Sequence, residues 1–102
     1  MMAVVRLAEK VTLQTISGAY DAVAGAIAKG HDLELDLGDL CEGDLALVQL
    51  ILAARAEAER HHRHMRLTYP ANPVLVSLLT RAGLFPQTPA DVDFWFHGVV
   101  PA

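Results

Sequence analysis

Cysteine is almost missing from this chain. Cys41 is the only one, which excludes an intramolecular disulfide and a thiolate-rich zinc site within one chain and fits a reducing compartment. Basic residues are scarce as well: eight Lys or Arg stand against twelve Asp or Glu, a formal charge of −4. Nucleic-acid binding draws most of its affinity from phosphate contacts and needs a basic face, so a nucleic-acid partner is not expected and a protein partner is. Apolar residues make up 53% of the chain, yet charges interrupt every stretch. No run approaches the roughly 18 unbroken apolar residues of a spanning helix, and the N-terminus lacks the pattern of a secretory signal. The expected location is cytoplasmic, with no direct membrane insertion. Glycine-rich phosphate loops of the GxxxxGK[ST] or GxGxxG kind are absent, and no cofactor is expected. No serine or threonine lies between Ser17 and Thr68.

A chain of 102 residues supports one hydrophobic core and therefore one domain, spanning 1–102. Residues 3–14 carry β-branched runs split by Ala8-Glu9-Lys10, which suits an opening hairpin. From Thr15 the period lengthens. Ile16, Tyr20, Val23 and Ile27 share one face of a helix over 16–29, with Thr15 or Ser17 available as N-cap and Gly30 after the end. His31 to Leu37 alternates like a strand. Asp44 then caps the longest helix, which runs to about Glu59. A short strand over 64–69 leads to Asn72-Pro73, an N-cap followed by proline at the first helical position, with Val74, Leu75, Leu78 and Leu79 turned to the core and Gly83 ending the helix. Residues 86–102, with three of the five prolines and the run Phe94-Trp95-Phe96, suggest an irregular tail with one edge strand. The alternation of strands and helices predicts an α/β domain with three or four helices packed on a four- to five-stranded mixed sheet, mainly parallel.

Candidate chemistry is sparse. Arg60-His61-His62-Arg63-His64 invites a metal site, but no histidine pair in it has the i, i+4 spacing of a helical zinc motif. A basic end to the long helix, complementing the negative pole of its dipole, is sufficient reason for the cluster. Ser17, Thr68, Ser77 and Thr80 show no local histidine and carboxylate partners, so no catalytic residue and no metal ligand is assigned. Metal-assisted hydrolysis at the histidines is the rival from a different class. Cys41 sits among carboxylates that should quiet its thiol. Asp36, Asp39, Glu42 and Asp44 form an acidic edge that could steer a basic partner, or serve only as turn and cap residues. Leu45 beside them is either the centre of a docking patch or ordinary core. The aromatic run either closes the core or joins a homodimer.

The segments DLGDLCEGDLALVQLILAARAEAE and MRLTYPANPVLVSLLTRAGL resemble the centre of STAS domains, the fold of anti-sigma factor antagonists, with the likeness running over about residues 3–85. The pieces that carry it are Asp36-Leu37-Gly38, Asp44-Leu45-Ala46-Leu47-Val48, Pro70-Ala71-Asn72 and Gly83-Leu84. The resemblance implies a non-catalytic regulatory domain that docks on a cytoplasmic kinase or ATPase through the loop and helix start at Asp39, Glu42, Asp44, Leu45 and Val48. It also places the family's phosphorylatable Ser or Thr at Leu45, which has no hydroxyl, so a phosphoryl off-switch cannot operate there. Three partner classes follow: an anti-sigma factor kinase, a chemotaxis histidine kinase, and the ATPase of a lipid-transport ABC complex.

Overall fold

The computed structural model describes residues 2–99. Strand β1 (Met2–Arg6) is followed by β2 (Lys10–Val11), α1 (Ile16–Ala28), β3 (Asp32–Asp36), β4 (Glu42–Gly43), α2 (Leu45–Arg60), β5 (Met65–Leu67), α3 (Pro73–Arg81) and α4 (Pro89–Phe96). The α/β class and the helix count match expectation. The strands differ from one mixed sheet: they form a three-stranded sheet in the order β1-β3-β5 and a two-stranded β2-β4 pair, and every pairing is parallel.

The expected opening hairpin does not form. Ala8-Glu9 supplies no residue suited to the positive φ of a tight hairpin turn. Instead the chain runs on in one direction: Leu7 is buried and donates its N–H to the Asp36 carbonyl at 3.0 Å, and β2 lies beside β4 as β1 lies beside β3.

Period-two alternation divides the main sheet into two faces. Leu33 and Leu35 are wholly buried and, with Leu67, lie under α1 and α2, which pack on each other. The opposite face carries Asp32, Glu34 and Asp36 of β3, flanked by Arg6 at 3.5 Å from Asp36 and Arg66 at 2.6 Å from Glu34. Parallel strands usually bury both faces; here the second face survives in water because charge pairs cover it.

Helix α1 buries Val23, Ala26 and Ile27, whereas Tyr20, expected on that face, lies 57% exposed. Thr15 precedes α1 without capping it, because its hydroxyl accepts the Thr12 N–H at 2.9 Å. Helix α2 buries Leu47, Val48, Leu50, Ile51, Ala54 and Ala58. Helix α3 begins as its sequence predicts, Asn72 Oδ1 accepting from Leu75 N at 3.0 Å, and stops before Gly83, whose φ of +72° suits a residue without Cβ. Each fully buried leucine in this core contributes roughly 1.5–3 kcal/mol.

Within the tail, Pro89–Phe96 is helical where a loop and edge strand were expected; residues 100–102 lie outside the described residues. Thr88 Oγ1 accepts from Asp91 N at 3.2 Å and Pro89 takes the first turn, repeating the Asn72-Pro73 device. Phe94, Trp95 and Phe96 are all buried and close the core beside β5, with Phe96 against Phe85 (centroids 5.5 Å apart) and Phe94 edge-on to Trp95 (5.1 Å). The run therefore offers no free aromatic surface to a second copy.

Arg55 of α2 ties α4 down, 2.8 Å from Asp91 and 4.5 Å above the Phe94 ring. Its hydrogen bond holds the Asp91 carboxyl below the ordinary aspartate range. A carboxylate depressed on folding adds stability above its unfolded pKa and loses it as pH falls through the folded value. Asp91→Asn should therefore be less stable than wild type at neutral pH and converge with it in acid, checked by thermal melts from pH 7 to about pH 3. A gap that stays constant across that range would contradict the pairing.

Candidate docking site

The loop from Asp36 to Asp44 is built by short-range polar chemistry. Asp36, only 7% exposed, accepts the Gly38 N–H at 2.8 Å on Oδ1, and Leu40 N bonds the Leu37 carbonyl at 3.1 Å. Leu37 and Leu40 are buried and anchor the turn. The amides of Cys41 and Glu42 both donate to the Glu9 carbonyl, at 2.8 and 3.0 Å, which delivers the chain into β4. A Cβ on Gly43 would lie 3.1 Å from Leu47 and 3.2 Å from Leu78, so glycine lets β4 pass close over α2 and α3.

Asp44 does two structural jobs. Oδ1 accepts from Ala46 N at 3.0 Å, capping α2, and Oδ2 accepts from Leu13 N at 3.0 Å, holding the segment before α1 against the same helix start. Both oxygens are thus engaged.

These bonds leave a continuous outer edge. Leu45, in the first turn of α2, is 49% exposed, and Leu13 across the Asp44 bridge is 73% exposed. Asp39 and Glu42 are exposed on the loop; Glu42 lies 3.4 Å from Lys10, and Asp39 lies 3.9 Å from Arg6. Next to Leu45 a shallow depression of about 240 Å³ is lined by Gly43, Leu78, Arg81 and Ala82. A second cleft of about 310 Å³ opens at the C-terminal ends of the main strands, between Arg6, Asp36, Asp39, Tyr69 and Asn72.

Of the five residues expected at the docking face, Asp39, Glu42 and Leu45 are exposed and Asp44 is half-buried along the connection from β3 into α2. Val48 does not join them. It has no exposed surface and packs in the core, because from Leu47 onward this side of α2 lies over the sheet. Leu13, whose N–H bonds Asp44, and Arg81, which lines the depression beside Leu45, border these residues and were not expected there. Leu13 falls in the segment expected to form a hairpin, and Arg81 is the last of the nine residues of α3, whose buried side chains are Leu75, Leu78 and Leu79.

The remaining candidates lie elsewhere. The stretch from His61 to His64 is exposed in the turn after α2; Glu57 bonds Arg60 at 2.6 Å and His61 at 2.9 Å, and His62 adopts a left-handed φ of +57°. Among the described residues no three His, Cys, Asp or Glu side chains converge as metal ligands. Cys41 is exposed, its S–H directed at the Asp39 carbonyl at 3.4 Å. Among the described residues no helix is long and apolar enough to cross a membrane.

The family model described as "Mlab, STAS domain" matches residues 2–85. The chain belongs to the STAS family. Its fold is similar to that of the Bacillus cell fate determinant SpoIIAA in the phosphorylated form, with a TM-score of 0.63 and 20% identity over 81% of this chain and 76% of that one. No curated protein matches the sequence. In this STAS domain Leu45 stands half exposed in the first turn of α2.

Asn72 holds the docking loop as well as capping α3: its Nδ2 donates to the Leu40 carbonyl at 3.0 Å. Asn72→Ala should cost about 1–2 kcal/mol and lower Tm by several degrees. In hydrogen exchange, amides of 38–43 should open more readily than in wild type, while those of β3 change only with global stability. Unchanged loop exchange would contradict the tether.

Proposed function

We propose that this STAS domain is a non-catalytic docking module that binds a cytoplasmic kinase or ATPase through the edge formed by Asp39, Glu42, Asp44 and Leu45, extended by Leu13 and Arg81. The observation that carries the reading is the pair of exposed leucines bridged by Asp44 and rimmed by carboxylates. That is the composition of a small interface with an apolar centre and a charged rim. The acidic rim selects a partner surface with basic residues around an apolar recess and speeds encounter at low salt. The two leucines supply most of the affinity once water is expelled.

Binding at this edge is constitutive. A phosphoryl group at the start of α2 would set a dianion at the apolar centre of the edge, where docking would have to strip its water, but Leu45 cannot accept one. The absent hydroxyl also favours a second partner choice within the same mode: a permanent ATPase subunit of a lipid-transport ABC complex, for which a switch is unnecessary. Affinity capture from cell extract with the purified domain, followed by mass spectrometry, separates the two. Recovery of a kinase, or of a transport ATPase, with no phosphate on the bait agrees with the proposal. A bait phosphorylated in this edge, or ATP turnover by the domain alone, contradicts it.

A further inference from the structure

Strand β1 ends the main sheet, and its outer edge has no partner among the described residues. Leu7 N–H points to β3, so alternation turns the N–H and C=O of Val5 and Ala3 inward and those of Met2, Val4 and Arg6 outward. Natural sheets protect such an edge with lysine, proline, a bulge or a covering loop. The segment Met2-Ala3-Val4-Val5-Arg6 has none of the first two and runs in unbroken register with β3. Its side chains are also incompletely covered: Val4 is 59% and Met2 38% exposed on the open face, and Ala3 and Val5 are only half-buried against the core.

We propose that β1 pairs antiparallel with β1 of a second copy about a two-fold axis at Val4, joining two three-stranded sheets into one. The segment is complementary to itself in this register. Val4 opposes Val4, Ala3 opposes Val5, and Met2 opposes Arg6, so no like charges face each other. The outward N–H and C=O groups of Met2, Val4 and Arg6 fall at the hydrogen-bonded positions, giving roughly six new backbone bonds. Charge favours the same partner. On the acidic row, Glu34 has Arg66 at 2.6 Å and Asp36 has Arg6 at 3.5 Å, whereas Asp32 accepts the His64 amide at 3.0 Å and has Arg63 nearby without an ion-pair contact among the described residues. Met2 is the register neighbour of Asp32, so the two-fold brings Arg6 of the second copy toward the end of the row that lacks an arginine in contact. A five-residue ribbon buries less than the roughly 1,200–2,000 Å² of a stable interface, so the dimer is weak and concentration-dependent.

Sedimentation of the intact chain from micromolar to millimolar concentration, with hydrogen exchange at both extremes, tests the pairing independently of the docking site. The expected result is a monomer becoming dimer, with exchange at the Val4 amide slowed about tenfold in the concentrated sample. Val4→Pro removes an outward N–H without touching the β1–β3 ladder, and Val4→Lys sets two like charges against each other at the axis. Both should stay monomeric, with near-UV circular dichroism showing the fold retained. Should the proline variant not fold, the lysine variant and the exchange of wild-type Val4 decide. A wild type monomeric throughout, or a folded Val4→Lys that dimerises as wild type does, overturns the proposal.

Discussion

Leu45→Asp is expected to leave the domain folded and to reduce partner affinity at least about thirtyfold, the scale of losing one interface hot spot of 2 kcal/mol or more. Leu45 is half exposed, so its removal forfeits little core packing. The new carboxylate would stand in the first turn of α2, where the helix dipole favours it, and surface substitutions of this kind shift stability by only about 0.5 kcal/mol. Binding responds differently. In a complex the side chain lies at the apolar centre of the edge, where an added charge must be desolvated beside Asp44 and Glu42. Thermal melts with captured-partner titrations check both halves, and loss of stability without loss of affinity would make Leu45 a core residue.

Val48→Asp, three residues further along the same helix, should do the reverse and unfold the chain. Val48 has no exposed surface and sits among Leu47, Ile51 and the β3 leucines in the core. A carboxylate there has no partner and remains buried, a cost of several kcal/mol on top of the lost valine packing. Domains of this size hold about 5–15 kcal/mol in total. Far-UV circular dichroism and urea melts should show most of the stability gone. Tolerance of Val48→Asp would mean that α2 sits differently on the sheet and that the docking edge is drawn wrongly.

The contrast between Leu45 and Val48 shows where sequence reasoning reached and where it stopped. Their i, i+3 spacing places them on one side of a helix, and the STAS resemblance implied both at the docking face. What separates them is where α2 begins relative to the sheet: Leu45 precedes the supported part of the helix and Val48 lies inside it. Capping chemistry was more legible, because it is local. Asp44 and Asn72 were identifiable as N-caps from their neighbours, and each makes the expected bond. Thr88-Pro89 carries the same signal but was outweighed by the β-propensity of Phe94-Trp95-Phe96, which packing against β5 and Phe85 overrides. Strand pairing was the least legible part. Residues 2–11 contain two strand-like runs, and whether they fold back or run on depends on a partner, β3 with β4, more than twenty residues away. Leu13 escaped notice for the same reason, since its exposure follows from the bridge to Asp44 across 31 residues.

The most direct test of the docking account is a hydrogen-exchange footprint of the domain alone and saturated with the partner recovered from cell extract. Protection should concentrate at residues 13, 39–46 and 81, with the turn at 61–64 and the groove between α1 and α2, lined by Tyr20, Ala24, Ala53 and Glu57, unchanged. Protection confined to that turn or that groove, with 39–46 exchanging as in the free domain, would contradict the assignment of this edge as the partner surface.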